Sequence, residues 1–251
     1  MKLHTSLFLS LTVLLALMFV APSFAHAQVT LKVGGGLGVM IPADDFGGST
    51  LDYYDGSRYG LGNGIAVQGK AKIGLVGFNL TGEVAYASLS NSGFSEPGQG
   101  SVDISQKIFS LKIGPEIRFG LPAMPVVPYI GANLALNNFS GETTFQGVAK
   151  VPSAVYTMQS ASRLGVGFAA GMEVNVAPLV SLDFNLSYNL MNLSGKAWED
   201  VNPGTDQRLD SYLSLNDSAD PQYAAGSDKH FNSNDRSIQS ILLTVSVLFG
   251  L

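Results

Sequence analysis

The sequence predicts an all-β fold, an eight-stranded antiparallel up-and-down transmembrane β-barrel, with ten strands as the alternative count. Three observations predict it. Eight segments alternate apolar and polar residues with period two, the connections between them alternate short and long, and only 13% of residues are charged while 46% are hydrophobic. A chain so poor in charge suits a wall that faces lipid.

The eight segments run roughly from 28 to 40, 61 to 74, 77 to 90, 103 to 119, 127 to 138, 162 to 176, 180 to 193 and 237 to 251. Each exceeds the common strand of a soluble domain, about 5–6 residues, and covers the roughly 9–11 residues that cross a bilayer at a tilt. Segments 2 and 3 join within a few residues at Gly74 and Leu75, segments 4 and 5 through "GLPAMPV", and segments 6 and 7 through "APL". The other four connections are longer, roughly 20, 12, 23 and 43 residues. Short turns at one end and long polar loops at the other are expected of a barrel in an outer membrane, with both termini at the short-turn, periplasmic end.

Ahead of the barrel, residues 1–27 read as a cleaved signal peptide: Lys2, an apolar run from about Leu7 to Val20, Pro22, then the small-residue pattern Ala25-His26-Ala27 before Gln28. Residues 28–251 then form one barrel domain, 251 minus 27 or 224 residues long. Without Lys2, 13 basic residues face 19 acidic ones, a balance that argues against a nucleic-acid partner. The absence of cysteine excludes disulfides, thiol catalysis and cysteine-ligated metals.

The alternation also assigns the faces. In "FSLKIGPEIRFG", Phe109, Leu111, Ile113, Ile117 and Phe119 share one side, and Lys112, Glu116 and Arg118 share the other. Segment 6 sets Leu164, Val166, Phe168, Ala170, Met172 and Val174 against a face of glycines with Arg163 and Glu173, and segment 7 sets Val180, Leu182, Phe184, Leu186 and Tyr188 against Ser181, Asp183 and asparagines. An eight-stranded tube has little room inside, so the small and charged face is expected in the lumen. The inward ionised set is Lys32, Lys70, Lys72, Lys112, Arg118 and Arg163 with Glu83, Glu116, Glu173 and Asp183. All but Arg163 map to the half nearer the short turns, where they are expected to pair as a polar plug, since an unpaired buried charge costs several kcal/mol. Pro115 has no backbone donor and is expected at a bulge or at the weakening end of strand 4. Phe78, Phe119 and Phe249 low down, and Tyr86, Phe168 and Tyr188 higher up, are placed as interface girdles.

With these features on the page, the chain resembles the outer membrane β-barrel domain family, the small OmpA/OmpX-like barrels of diderm bacteria. The resemblance covers Gln28 to Leu251 and rests on the strand rhythm, on "GPEIRFG" and "PYIGANLAL", and on the last strand, "SILLTVSVLFGL". That strand looks like the assembly signal of such barrels, with Phe249 two positions before the terminal Leu251 instead of a terminal aromatic. The resemblance implies a place in the bacterial cell outer membrane, with its lipids and the barrel assembly machinery as partners. Family members described as adhesins, membrane-stabilising proteins and small pores share this architecture, so it leaves function open.

The residues themselves offer little chemistry. The mature chain has one histidine, His230, in "SDKHFNSND", and a lone loop histidine does not make a catalytic constellation. No cofactor and no metal site are expected. "NDSAD" is rich in oxygen ligands, yet it lacks the spacing and glycine of a calcium loop. Aromatic residues in the long loops, namely Tyr53, Tyr54 and Tyr59, Phe145 and Tyr156, and Trp198, Tyr212, Tyr223 and Phe231, are candidates for contact with an extracellular ligand, or else pack over the barrel mouth. The expected function is a non-enzymatic, membrane-structural protein whose surface loops serve adhesion or interaction. A small pore for ions or small solutes is the alternative, and a lipid-modifying enzyme the remoter one.

Overall fold

The computed structural model describes residues 29–75, 78–96, 99–120, 125–201, 209–221 and 234–251. The expected signal peptide, Tyr223, His230 and Phe231 lie outside the described residues. Eight strands form one closed antiparallel barrel in sequence order: β1 (Thr30–Ala43), β2 (Gly64–Leu75), β3 (Phe78–Glu96), β4 (Gln99–Arg118), β5 (Val126–Gln146), β6 (Ala154–Ala177), β7 (Val180–Ser194) and β8 (Gln239–Gly250). Closure comes from β1 pairing with β8, where Lys32 lies opposite Gly250 and Ala43 opposite Gln239. A closed ring satisfies every ladder donor and acceptor without an edge, as a hydrocarbon surround requires. Among the described residues no helix is long and apolar enough to cross a membrane, and a barrel that crosses with strands needs none.

The wall places its greasy face outside. Leu134, Leu136, Phe109, Leu111, Ile113, Phe168, Leu186 and Val245 are all exposed, while their strand neighbours Ala135, Asn137, Ser110, Ser187 and Thr244 are buried. Phe78, Phe119 and Phe249 at one end and Tyr86, Phe168 and Tyr188 further up also point outward.

Two expectations are corrected, the length of two connections and the residues placed in one of them. The connections expected at about 12 and 23 residues are mostly strand: β3 runs to Glu96 and β4 begins at Gln99, while β5 reaches Gln146 and β6 begins at Ala154. Phe145 and Tyr156 therefore sit on strands, not in a loop. Of the two places expected for Pro115, it takes the weakening end of strand 4 and not a bulge. The β4–β5 register is the same on both sides of it, Ile113 opposite Leu134 and Glu116 opposite Gly131, and only the intervening rungs are missing. The bulges lie elsewhere, between Phe139 and Gly141 in the β5–β6 ladder and at two places in β6–β7.

The extended strands obey a second rule above the belt. On β5 the outward residues change from Leu134 and Leu136 to Ser140, Glu142 and Thr144, while the inward residues change from Ala135 and Asn137 to Phe139, Thr143 and Phe145. On β4 the outward side likewise changes from Phe109 and Leu111 to Asp103, Ser105 and Lys107, and Ile104 and Val102 turn inward. The barrel is thus inside-out where lipid surrounds it and conventional where water does.

Two connections fold over the mouth. The β1–β2 connection carries a 3-10 turn (Asp44–Phe46) and a short helix, α1 (Thr50–Tyr54). The β7–β8 connection carries α2 (Asp210–Leu213).

Candidate functional site: a lumen closed at two levels

The lower closure joins nine inward side chains from six strands. Lys112 Nζ donates to Glu83 at 2.8 Å, and Glu83 also lies 3.6 Å from Lys70. Lys70 Nζ donates to Asp183 at 2.9 Å. Lys72 Nζ lies 3.0 Å from Glu116, 3.3 Å from Asp183 and 3.7 Å from Glu173. Glu173 in turn accepts from Lys32 and lies 3.8 Å from Arg118. The chain of contacts is unbroken, and Lys72, Glu173 and Asp183 are almost wholly buried.

The strand register makes such a network necessary. Lys32 lies directly opposite Lys72 on neighbouring strands, and Glu173 lies directly opposite Asp183. Like charges in those positions repel. Each pair is compensated from across the lumen, Lys32 and Lys72 reaching Glu173 while Lys70 and Lys72 reach Asp183. Neutral groups supply further bonds. The Tyr129 hydroxyl donates to Asp183 at 2.6 Å, its ring lies 4.3 Å beneath the Lys72 ammonium, and Asn79 donates to Glu116 at 2.6 Å. Beside the network is a polar cavity of about 40 Å³, lined by Lys70, Glu83, Lys112, Glu116, Tyr129 and Asn133 among others. It has room for a water molecule.

Arg163, the inward base that mapped away from this network, is engaged higher up. Its guanidinium clamps Asp217, Nε at 2.9 Å and Nη2 at 2.8 Å from the two carboxylate oxygens. Asn192 Nδ2 and the Ala197 backbone N–H also donate to Asp217, at 2.9 and 3.0 Å. "NDSAD" therefore supplies the anchor of an inserted loop, and among the described residues no group of three His, Cys, Asp or Glu side chains could hold a metal.

Around this anchor lies the upper closure, an apolar core inside the barrel mouth. The wall contributes Met40, Leu89, Val102, Ile104, Ile108, Phe139, Phe145 and Leu242, and the connections contribute Phe46, Tyr53, Tyr54, Tyr59, Leu61, Tyr212 and Leu215. Tyr53 stacks against Phe145, and Tyr212 packs at 4.6 Å between ring centroids against the same ring. Tyr53 and Tyr59 hydroxyls bond Thr143 Oγ1 and the Leu215 carbonyl at 2.8 and 2.9 Å, and the Tyr54 hydroxyl donates to the Ala149 carbonyl at 2.9 Å. Burial pushes the Tyr53 hydroxyl up to about 12 and raises that of Tyr59 as well.

The expectation that Tyr53, Tyr54, Tyr59 and Tyr212 offer contacts to a ligand is corrected by these positions. All four are less than a tenth exposed. The physical reason is the apolar inner wall above the belt, which offers the rings more buried area than solvent or a partner does. Trp198 is half-buried. The aromatic content of the β1–β2 and β7–β8 connections was visible in the sequence. Their docking partner was only partly so, because Val102, Phe139 and Phe145 of the inner wall lie beyond the expected strand ends. Asp217 was missed as a partner for Arg163 because the two are 54 residues apart.

The fold and its interior define a class: a transmembrane β-barrel with apolar residues toward lipid and a filled lumen. More particularly, the chain belongs to the outer membrane protein beta-barrel domain family, whose model matches residues 11–239. That places it in the bacterial outer membrane. No curated protein matches the chain. Among solved structures it is similar to Neisserial surface protein A, at 17% identity and a TM-score of 0.48, covering 87% of this chain and 96% of that one. A major outer membrane protein from Thermus thermophilus matches at 14% identity and 0.47, covering 88% and 99%. Ail, the attachment invasion locus protein of Yersinia pestis, matches at 10% and 0.43, covering 89% and 99%. Nothing about this chain's role follows from neighbours so distant.

Proposed function

We propose that this protein is a non-enzymatic, non-conducting outer-membrane barrel that contributes to membrane structure and offers its projecting hairpins to partners outside the cell. The closure of the lumen at two levels, by ion pairs below and by an apolar core above, carries the reading. The ionised groups of the lower lumen are committed to one another. The lipid of the outer membrane meets the apolar belt, the assembly machinery meets β8, and the leader at residues 1–27 is removed on export. The β3–β4 and β5–β6 hairpins rise above the belt with polar outer faces, and Phe94 and Val155 lie exposed at 65% and 61% on them. Such isolated apolar side chains on a polar, rigid sheet suit contact with a protein partner.

Planar-bilayer recording of the folded protein tests the closure. No steady single-channel steps are expected. Reproducible steps whose size changes in Glu116→Gln or Arg118→Gln would establish a pore and overturn the reading. For the hairpins, binding of expressing cells to host-cell or matrix surfaces is expected to fall in Phe94→Ser with Val155→Ser, and binding that is absent from the start or unchanged in this variant removes the adhesive role.

A further inference from the structure

We propose that residues 209–217 are a releasable plug, keyed into the barrel mouth by Asp217 on Arg163, whose departure bares an apolar cup at the outer end of the lumen while the lower ion-pair network stays closed. The upper closure is built from the wall and from two connections, of which only the β7–β8 connection is proposed to leave. The cup is wall, Val102, Ile104, Ile108, Phe139, Phe145 and Leu242 turning inward from strands whose ladders need nothing from that connection, lined further by Phe46, Tyr53 and Tyr59 of the β1–β2 connection. The stopper is a short stretch of the β7–β8 connection that inserts Tyr212 and Leu215, 2% and 0% exposed.

What joins the two is polar. Among the described residues, Arg163 is the one base of the expected inward set that the lower network does not use, and its side chain is only 6% exposed. A buried cation there is tolerable only with a partner. Asp217 takes the Nε–Nη2 edge of the guanidinium while Nη1 donates to the Ser162 carbonyl, and wall residue Asn192 and loop residue Ala197 also donate to the carboxylate. Behind the carboxylate, Arg236 stacks 4.0 Å over the Tyr59 ring and donates to the carbonyls of Leu215 and Asn216 at 3.2 and 2.8 Å. No residue of this latch belongs to the lower network. The two closures can therefore fail separately, and plug release alone leaves the protein non-conducting.

Limited chymotrypsin digestion of the folded protein in membranes, with the cut after Tyr212 mapped by mass spectrometry, tests the proposal. In Asp217→Asn, and again in Arg163→Met, cleavage at Tyr212 is expected to rise by a factor of about 100 to a few thousand, the range that corresponds to losing one partner of a buried ion pair, while the unboiled protein keeps the mobility of a closed barrel. Folded variants in which Tyr212 stays as protected as in the parent overturn it. Should neither variant fold, hydrogen exchange of the unaltered protein decides: the bonded amides of Tyr212, Leu213 and Ser218 are expected to exchange well before the strand ladder, and exchange only together with the ladder overturns the proposal.

Discussion

Lys72 shows what a single side chain has to accomplish inside this wall. It is 1% exposed and faces three carboxylates, from β4, β6 and β7, with an aromatic ring beneath it. Two of those acids, Glu173 and Asp183, are direct cross-strand neighbours, and among the described residues Lys72 is the cation that contacts both. Replacing it by methionine keeps the volume and removes the charge. Lys72→Met is expected to cost about 3–5 kcal/mol, the range for leaving buried partners uncompensated. The check is the urea concentration at which the folded electrophoretic band is lost. Lys112→Met is the comparison: Lys112 touches Glu83 alone, and Glu83 keeps Lys70 at 3.6 Å, so a clearly smaller loss is expected. Equal losses would mean that the network does not converge on Lys72.

At the scale of the element, α1 is a five-residue helix that would not persist alone, yet it carries Tyr53 and Tyr54 into the upper core. Its start is fixed by a capping box: the Asp52 N–H donates to Ser49 Oγ at 3.2 Å, and Asp52 Oδ2 accepts from the Ser49 N–H at 2.7 Å. The Ser49 N–H first, and then the Ser49 hydroxyl, which donates to the same carboxylate at 2.8 Å, hold the Asp52 carboxyl below its ordinary value. A depressed carboxylate stabilises the folded form above its unfolded pKa, and that contribution is lost as pH falls through the folded pKa. The α1 cap is therefore expected to be intact at neutral pH and to loosen only in acid, below the ordinary aspartate range. An NMR titration of Asp52 checks this, and a midpoint at or above the ordinary value contradicts it.

The elements also show how far the sequence could be read. Period-two alternation located all eight strands and the right face of those it assigned, because a residue that meets lipid and its neighbour that meets the lumen differ sharply in the belt. The reading stopped early on β5 and β6 for two physical reasons. Above the belt the contrast reverses sign, Phe139 and Phe145 inside and Glu142 and Gln146 outside, which a search for one constant pattern reads as irregular. The bulge that brings Gly141 opposite Met158 then shifts the parity of β6, so that Met158 and Tyr156 turn toward the core. The lumen charges were legible as a set from alternation alone. Their pairing was not, since most of the ion pairs cross the lumen and only the Lys70–Glu83 and Lys112–Glu83 contacts follow strand neighbours.

For the whole molecule, two interiors are stacked along one axis. The lower is polar and closed by charge compensation within the wall. The upper is apolar and closed by chain that folds back from the connections. The boundary between them falls where the outer surface changes from leucine and phenylalanine to serine, aspartate and glutamate, so that one strand serves lipid, water, lumen and core in turn. Nitroxide labelling at single cysteines along β5 tests this arrangement most directly, and the cysteine-free chain makes each label unique. At positions 134 and 136, where the leucines are 67% and 44% exposed, collisions with oxygen are expected to be frequent and with a water-soluble nickel chelate rare. At 135 and 137, where Ala135 and Asn137 are 6% and 1% exposed, both are expected to be rare. Frequent collisions with the nickel chelate at 134 and 136 would put that face in water and contradict the account.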